Sequence, residues 1–123
     1  MSRFGLPYSE RLRSFGAVRR LFASGSGGFV YPFRYLVFAE PDEDFSVRVL
    51  FSVPKRNHKR ANVRNLLRRR TKEAYRLGKA TLHGCGKRSS VEVALIYSSK
   101  EVCDYKVIKN AVERILAAIA ADL

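Results

Sequence analysis

Residues 55–79 read KRNHKRANVRNLLRRRTKEAYRLGK, and this stretch decides the central helix and most of the charge of the chain. It holds eleven Lys and Arg residues and one acid, Glu73, and so supplies ten of the thirteen units of formal net positive charge. So much like charge in one segment is costly to fold unless an anion meets it, and a phosphate backbone is the common anion of this kind. The stretch therefore predicts a surface that binds a polyanion.

Residues 61–77 have the period of an amphipathic helix that ends near Gly78. At about 100° per residue, an apolar stripe lies opposite a basic face. The apolar stripe consists of Val63, Leu66, Leu67, Ala74 and Leu77. The basic face consists of Arg64, Asn65, Arg68, Arg69, Lys72, Tyr75 and Arg76. Arg70 falls in the apolar stripe, where we expect its stem to cover apolar surface while its guanidinium reaches water.

Three alternatives to a phosphate-binding helix are a solvated surface helix, a membrane-surface helix and a calmodulin-type target helix. A solvated helix usually mixes charges of both signs, whereas Glu73 is the only acid in this helix. The other two need a free apolar side, which this helix requires for a core. Arg outnumbers Lys on the basic face, which favours bidentate phosphate contacts and stacking on bases. Asn65 adds a donor and an acceptor suited to a base edge, a ribose or a hydrated metal ion.

Three runs in fixed register carry a family resemblance: SVPKR at residues 52–56, ANVRNLLRR at residues 61–69 and KEAYR at residues 72–76. Together they resemble the signature of the protein subunit of bacterial ribonuclease P, in which a strand ending in Ser-Val leads through a basic loop into a basic helix. The central Arg64-Asn65 pair of that signature is intact. The departures are Pro54 for Ser or Thr, Asn62 for Val, Arg68 for Lys and Lys72 for Arg.

The resemblance implies an accessory RNA-binding subunit of a ribonucleoprotein enzyme. In that family the RNA carries the catalysis with magnesium ions, and the protein binds both the catalytic RNA and the single-stranded 5′ leader of precursor tRNA. It further implies a cytoplasmic protein with no catalytic residue, no metal site and no tightly bound cofactor of its own, no membrane contact and no obligate protein partner. Asn65 would lie nearest to an RNA-bound magnesium ion. The implied RNA-binding residues are Lys55, Arg56, Lys59, Arg60, Arg64, Asn65, Arg68, Arg69, Lys72 and Arg76.

A single-stranded leader calls for a groove with stacking surfaces. The resemblance places this groove between the first helix and the sheet. Phe22 stands where the family has a leader-facing aromatic residue. Val18 stands where the family has a second aromatic residue, and Phe15 is the candidate to substitute for it.

On the strand side of the groove, the sequence leaves two pairs open. Either Arg34 and Leu36 or Phe33 and Tyr35 face the leader, because successive side chains of a strand point to opposite faces. For the aromatic residues, a place in the core is at least as good an interpretation as a binding role. Phe15 and Phe29 are assigned to the core.

Local signals divide the rest of the chain into elements. Before the basic helix we expect a helix from its N-cap Ser14 to Ala23, a flexible loop over 24–28, and strands over 29–38 and 45–53 joined as a hairpin by the acidic turn 40–44. After the basic helix we expect a loop over 79–90, in which a continuing helical turn stays open as an alternative. A buried strand over 91–97 and a helix over 105–121 capped by Asp104 complete the chain. The stripe of this last helix consists of Ile108, Ala111, Val112, Ile115 and Ile119.

The expected fold is α+β, an α/β sandwich of order α-β-β-α-β-α with a mixed central sheet. Residues 1–123 form one RNA-binding domain, with an irregular N-terminal segment over 1–13. The pattern alone predicts a right-handed crossover around the basic helix. The resemblance implies a left-handed one, as in domain 2 of ribosomal protein S5, and we adopt it.

Composition argues against several classes of site. Acids are few, and the densest group, residues 42–44, lies in a predicted turn, so we expect no catalytic metal site. Cys85 and Cys103 read as reduced thiols, and neither His58 nor His83 has cysteine partners at zinc-site spacing. We expect neither a signal peptide nor a membrane span, because no apolar run is long enough.

Three other functions compete with the resemblance. A ribosomal or ribosome-assembly protein fits the size and charge equally well, but leaves the Arg64-Asn65 match to chance. A DNA-binding module would need a helix-turn-helix or a dimer interface, which the sequence does not suggest. A self-sufficient nuclease would need more carboxylates.

Overall fold

A computed structural model of the chain describes residues 21–23, 25–84 and 88–123. Residues 21–23 are helical. The later elements are strands β1 (Ser26–Val30), β2 (Phe33–Pro41) and β3 (Ser46–Ser52), helices α1 (Ala61–Gly78) and α2 (Ala80–His83), strand β4 (Ser89–Tyr97) and helix α3 (Tyr105–Asp122). The predictions for residues 1–20, which include Val18 and Phe15, and those for Ser24 and Cys85 lie outside the described residues.

The four strands form one mixed sheet in the order β1-β2-β4-β3. β1 pairs antiparallel with β2, β2 pairs antiparallel with β4, and β4 pairs parallel with β3. Helix α1 lies in the connection between the two parallel strands, as a crossover requires. The mixed sheet and the α+β class are confirmed, whereas the left hand of the crossover stays a prediction.

Two expectations about the strands are wrong. In place of a loop that runs to residue 28 and a single strand over 29–38, residues from Ser26 onward form two strands, β1 and β2, separated by a tight turn at Tyr31 and Pro32. The expected hairpin between β2 and β3 does not form, because β4 lies between them. Most of β4 is buried, so the central position keeps its apolar residues from solvent on both faces of the sheet.

The sheet separates two layers of apolar side chains. On its main face, strand residues such as Val49 and Val93 pack against α1 and α3. On its second face, Leu21 packs with Leu36 and Ala94. The predicted stripe of α3 is buried in the main core, and the Asp104 side chain caps this helix by accepting a 3.0 Å hydrogen bond from the backbone N–H of Val107.

Helix α1 is rotated about its axis relative to the sequence prediction. Tyr75, expected on the basic face, is fully buried and its ring meets Phe51 edge-on at 5.7 Å. Leu77, expected in the apolar stripe, is 49% exposed. Burying the larger aromatic ring removes more apolar area from water, so it prevails over the leucine. Arg70 does not simply reach water either, since its guanidinium donates a 2.6 Å hydrogen bond to the carbonyl of Cys103.

Candidate nucleic-acid interface

The outer face of α1 carries an open cleft of about 430 Å³. It is lined by Asn62, Asn65, Arg68, Arg69 and Lys72. These residues follow one another at intervals that keep them on one side of the helix. Four of them are predicted site residues. Asn62 is the one that sequence reasoning missed, although its three-residue spacing from Asn65 was a signal for it.

Within this cleft, Arg68 and Asn65 hold each other in place. The Arg68 guanidinium donates a 3.1 Å hydrogen bond to the Asn65 side-chain oxygen, one helical turn away and exposed to solvent. An asparagine fixed in this way keeps its amide group available to a base edge or a ribose hydroxyl. The pair thus combines a cation with a polar group of defined orientation.

The basic loop, residues 55–60, leads into the N-terminus of α1. Its four cations, Lys55, Arg56, Lys59 and Arg60, are all exposed. Between them His58 is buried, and its Nε2 donates a 2.7 Å hydrogen bond to the carbonyl of Ser99. The loop is therefore tied to the protein body through its histidine while its charges face solvent.

Arg64 has a different position from the other predicted RNA-binding residues. One nitrogen of its guanidinium, Nη1, donates to the carbonyls of His58 and Lys59 at 2.9 and 2.7 Å. The side chain is half-buried and bridges the first turn of α1 to the basic loop. Its described contacts make it a residue that fixes the shape of the loop.

Arg76 also has a partner within the protein. Its guanidinium binds both carboxylate oxygens of Glu73 one turn earlier on α1. The hydrogen bond from Arg76 holds the pKa of the Glu73 carboxyl below its usual value. Because this pair neutralises the last turn of the outer face, the positive charge concentrates on the basic loop and on α1 up to Lys72.

A short anchor segment, residues 97–103, ties these parts together. It receives the His58 bond from the basic loop and the Arg70 bond from α1. From the turn between β1 and β2, the Tyr31 hydroxyl lies 3.2 Å from the Ser99 hydroxyl, and the carbonyl of Pro32 accepts a 2.8 Å hydrogen bond from the backbone N–H at residue 98. The basic loop, the basic helix and the end of β1 thus share one support.

The second face of the sheet holds the predicted leader-groove residues that the structure describes. Phe22 is 52% exposed, next to Leu21 in the helical segment that packs on this face. Of the two strand pairs left open by the sequence, Phe33 and Tyr35 belong to the main core. Arg34 and Leu36 therefore point to the second face, where Arg34 is exposed and Leu36 is buried.

Phe29 was assigned to the core, and this assignment is wrong. Its side chain is 60% exposed, the largest exposed fraction among the exposed large apolar residues described. It lies on the edge strand β1 opposite Arg34. The strand pattern alone could not show this, because the burial of a strand residue depends on which strands flank it.

The interface offers guanidinium, ammonium and amide groups, which bind phosphate oxygens and base edges. Among the described residues no group of three or more His, Cys, Asp or Glu side chains could hold a metal ion. No helix in the same part of the chain is both long and apolar enough to cross a bilayer.

A family model described as Ribonuclease P matches residues 6–120. The chain belongs to the bacterial ribonuclease P protein family. In agreement, the ribonuclease P protein component of Porphyromonas gingivalis is 32% identical over 124 residues, which cover 98% of this chain and 90% of that protein. The resemblance that the signature runs carry is confirmed.

Solved ribonuclease P proteins also share the fold. The protein from Staphylococcus aureus superposes with a TM-score of 0.67 at 21% identity, over 94% of this chain and 92% of that one. The protein from Thermotoga maritima gives a TM-score of 0.65 at 20% identity, over 89% of this chain and 96% of that one. As a member of the family, the chain is a protein subunit of ribonuclease P, the enzyme of precursor-tRNA 5′ maturation, and works with ribonuclease P RNA.

Proposed function

We propose that this ribonuclease P protein binds the catalytic RNA through the basic loop and the outer face of α1, and the 5′ leader of precursor tRNA through the second face of the sheet. The observation that carries the proposal is the open cleft in which Asn65, Arg68 and Arg69 stand together. Cations grouped in this way release condensed counterions when they meet phosphates, which drives binding. The amides of Asn62 and Asn65 add hydrogen bonds that phosphate contacts alone do not supply.

The leader would lie on the second face because single-stranded RNA needs surfaces on which bases stack. Exposed Phe22 supplies one such surface, and exposed Arg34 supplies a cation on the second face of the sheet. Leu36 forms part of the floor beneath Leu21. The second face and the basic loop are both attached to the anchor segment. This shared attachment supports a path for one RNA strand from the second face to the basic loop.

Magnesium would be bound by the RNA partner, with none held tightly by the protein. The outer face of α1 presents cations and amides, a donor set that suits phosphate oxygens and the water shell of an ion. Asn65 is then the residue nearest to an RNA-bound ion. The proposed molecule is a single cytoplasmic RNA-binding domain over residues 1–123, with no catalytic residue of its own and no obligate protein partner.

Reconstitution with a bacterial ribonuclease P RNA and a precursor tRNA tests the proposal. At low magnesium, efficient leader release should require the protein and the RNA together, and the protein alone should release none. The double variant Arg68→Ala and Arg69→Ala should reduce the stimulation by the protein. The matched control, Lys106→Ala and Arg114→Ala, removes two exposed cations from α3 and should leave the stimulation intact.

Two results would contradict the proposed surfaces. If both double variants lost activity equally, net charge and not the outer face of α1 would determine binding. If the wild-type protein left RNA cleavage unchanged, the accessory role at the leader would fail.

A further inference from the structure

Phe29 is an aromatic side chain that neither the core nor the family signature accounts for. Its neighbour Val30 packs against the main core, so the alternation of β1 turns Phe29 to the second face. There it lies across from Arg34, its register partner on β2. An aromatic ring left 60% exposed beside an exposed cation is a combination that binds nucleobases and phosphates.

Gly27 leaves the surface beside Phe29 without a side chain. A Cβ at this position would lie 2.1 Å from the carbonyl oxygen of Tyr35 and 3.0 Å from a methyl group of Leu36. Strand β1 therefore offers bare backbone at Gly27 and a full ring at Phe29 on the same face. Because Gly27 has no side chain, a planar group has room to approach the Phe29 ring.

The sheet register connects this position to the basic loop. On the second face, Phe29 pairs with Arg34, Arg34 with Ile96, and Ile96 with Ser52. Ser52 ends β3, and the basic loop begins three residues later. Three interstrand spacings separate the two ends of this row, a distance of about 14 Å. The row thus adjoins the proposed RNA-binding surface, and Arg34 gives it the positive charge that binds RNA phosphates.

We propose that Phe29 and Arg34 form a nucleotide subsite at the β1 edge of the sheet, in which an unpaired base of the 5′ leader stacks on Phe29 and its phosphate binds Arg34. This inference rests on the proposed function, since it extends the leader path beyond Phe22 to the far edge of the second face. Stacking on a ring tolerates any base, so the subsite would respond to the length of the leader more than to its sequence.

The first test measures the affinity of the holoenzyme for precursor tRNAs with leaders of increasing length and for tRNA without a leader. Phe29→Ala should weaken binding of long-leader substrates by about 5- to 20-fold and leave leaderless tRNA unaffected. Phe29→Tyr should retain the wild-type affinity, because it keeps the ring, and Phe29→Leu should not. Val107→Ala, which trims an exposed apolar residue of α3, is the matched control and should change nothing.

The outcomes separate the subsite from the proposed function. If the wild-type holoenzyme gained no affinity from a leader, the leader-binding role would fail and the subsite with it. If the wild-type gained affinity and Phe29→Ala gained as much, the subsite alone would be overturned. Equal losses for leader-bearing and leaderless tRNA would also overturn it, because they would indicate a general structural defect.

A second measurement does not depend on the alanine variant folding normally. The chain contains no tryptophan, so Phe29→Trp introduces a single tryptophan at the subsite, whose fluorescence can be excited selectively over that of the tyrosines. Its emission should be quenched by a single-stranded leader oligonucleotide, while that of the control Val107→Trp should not. An unquenched Phe29→Trp protein that binds the oligonucleotide would overturn the proposal. A spectral change on raising the protein concentration without RNA would do the same, and would assign this edge to a second copy of the chain.

Discussion

The exposed cations of the interface fix how steeply RNA binding should depend on salt. Besides Arg64 and Arg76, seven are exposed or half-buried and lie on the basic loop or the outer face of α1: Lys55, Arg56, Lys59, Arg60, Arg68, Arg69 and Lys72. Arg64 and Arg76 are set aside because their guanidinium groups bind the His58 and Lys59 carbonyls and the Glu73 carboxylate, respectively. If each of the seven meets one phosphate, the slope of log K against log salt is about −5 to −6. Affinity should then fall by about 1,000- to 4,000-fold between 50 and 200 mM salt.

Replacing Arg68 and Arg69 by alanine should make this slope shallower by about 1.5, since two phosphate contacts are lost. The assay is a titration of ribonuclease P RNA with the protein at several salt concentrations, followed by filter binding. The control Lys106→Ala and Arg114→Ala has the same net charge and should keep the wild-type slope. Equal slopes for the two double variants would refute the assignment of the outer face of α1 as the RNA contact, because only total charge would then matter.

Three further predictions concern α1. Arg70→Met removes the guanidinium bond to the loop before α3, so urea unfolding should show a loss of about 1–2 kcal/mol, with the salt slope of RNA binding unchanged. Tyr75→Ala should cost about 3–5 kcal/mol while Leu77→Ala should stay within about 0.5 kcal/mol, and the reverse order in urea unfolding would contradict the packing of the helix. Glu73→Gln removes the carboxylate that holds Arg76, so the salt slope should steepen by about 0.8; an unchanged slope would place Arg76 outside the RNA contact.

Signals that act over a few residues were enough to predict α1, α3 and the central strand. The 3.6-residue period predicted α1, and Asp104 marked the start of α3, because a cap and a period are local properties. Strand order could not be predicted in this way. β4 lies between β2 and β3, where its apolar residues are buried on both faces, and this arrangement depends on pairing between strands far apart in the chain.

The candidate site shows the same division. The spacing of Asn65, Arg68 and Arg69 predicted one face, and the structure brings these residues together in the cleft. The partners of Arg64 and Arg76 could not be told from their positions on the helix, since both residues bind groups of the protein itself. Phe29 was missed because its exposure follows from an edge position that only the assembled sheet defines.

The anchor segment affects the thermodynamics of RNA binding as well as the shape of the protein. It fastens the basic loop through His58, the basic helix through Arg70 and the end of the β1 edge through Tyr31. Both surfaces proposed to face RNA are therefore held in place by hydrogen bonds within the folded chain. Binding then does not have to supply the conformational entropy of arranging them, so more of the interaction free energy remains as affinity.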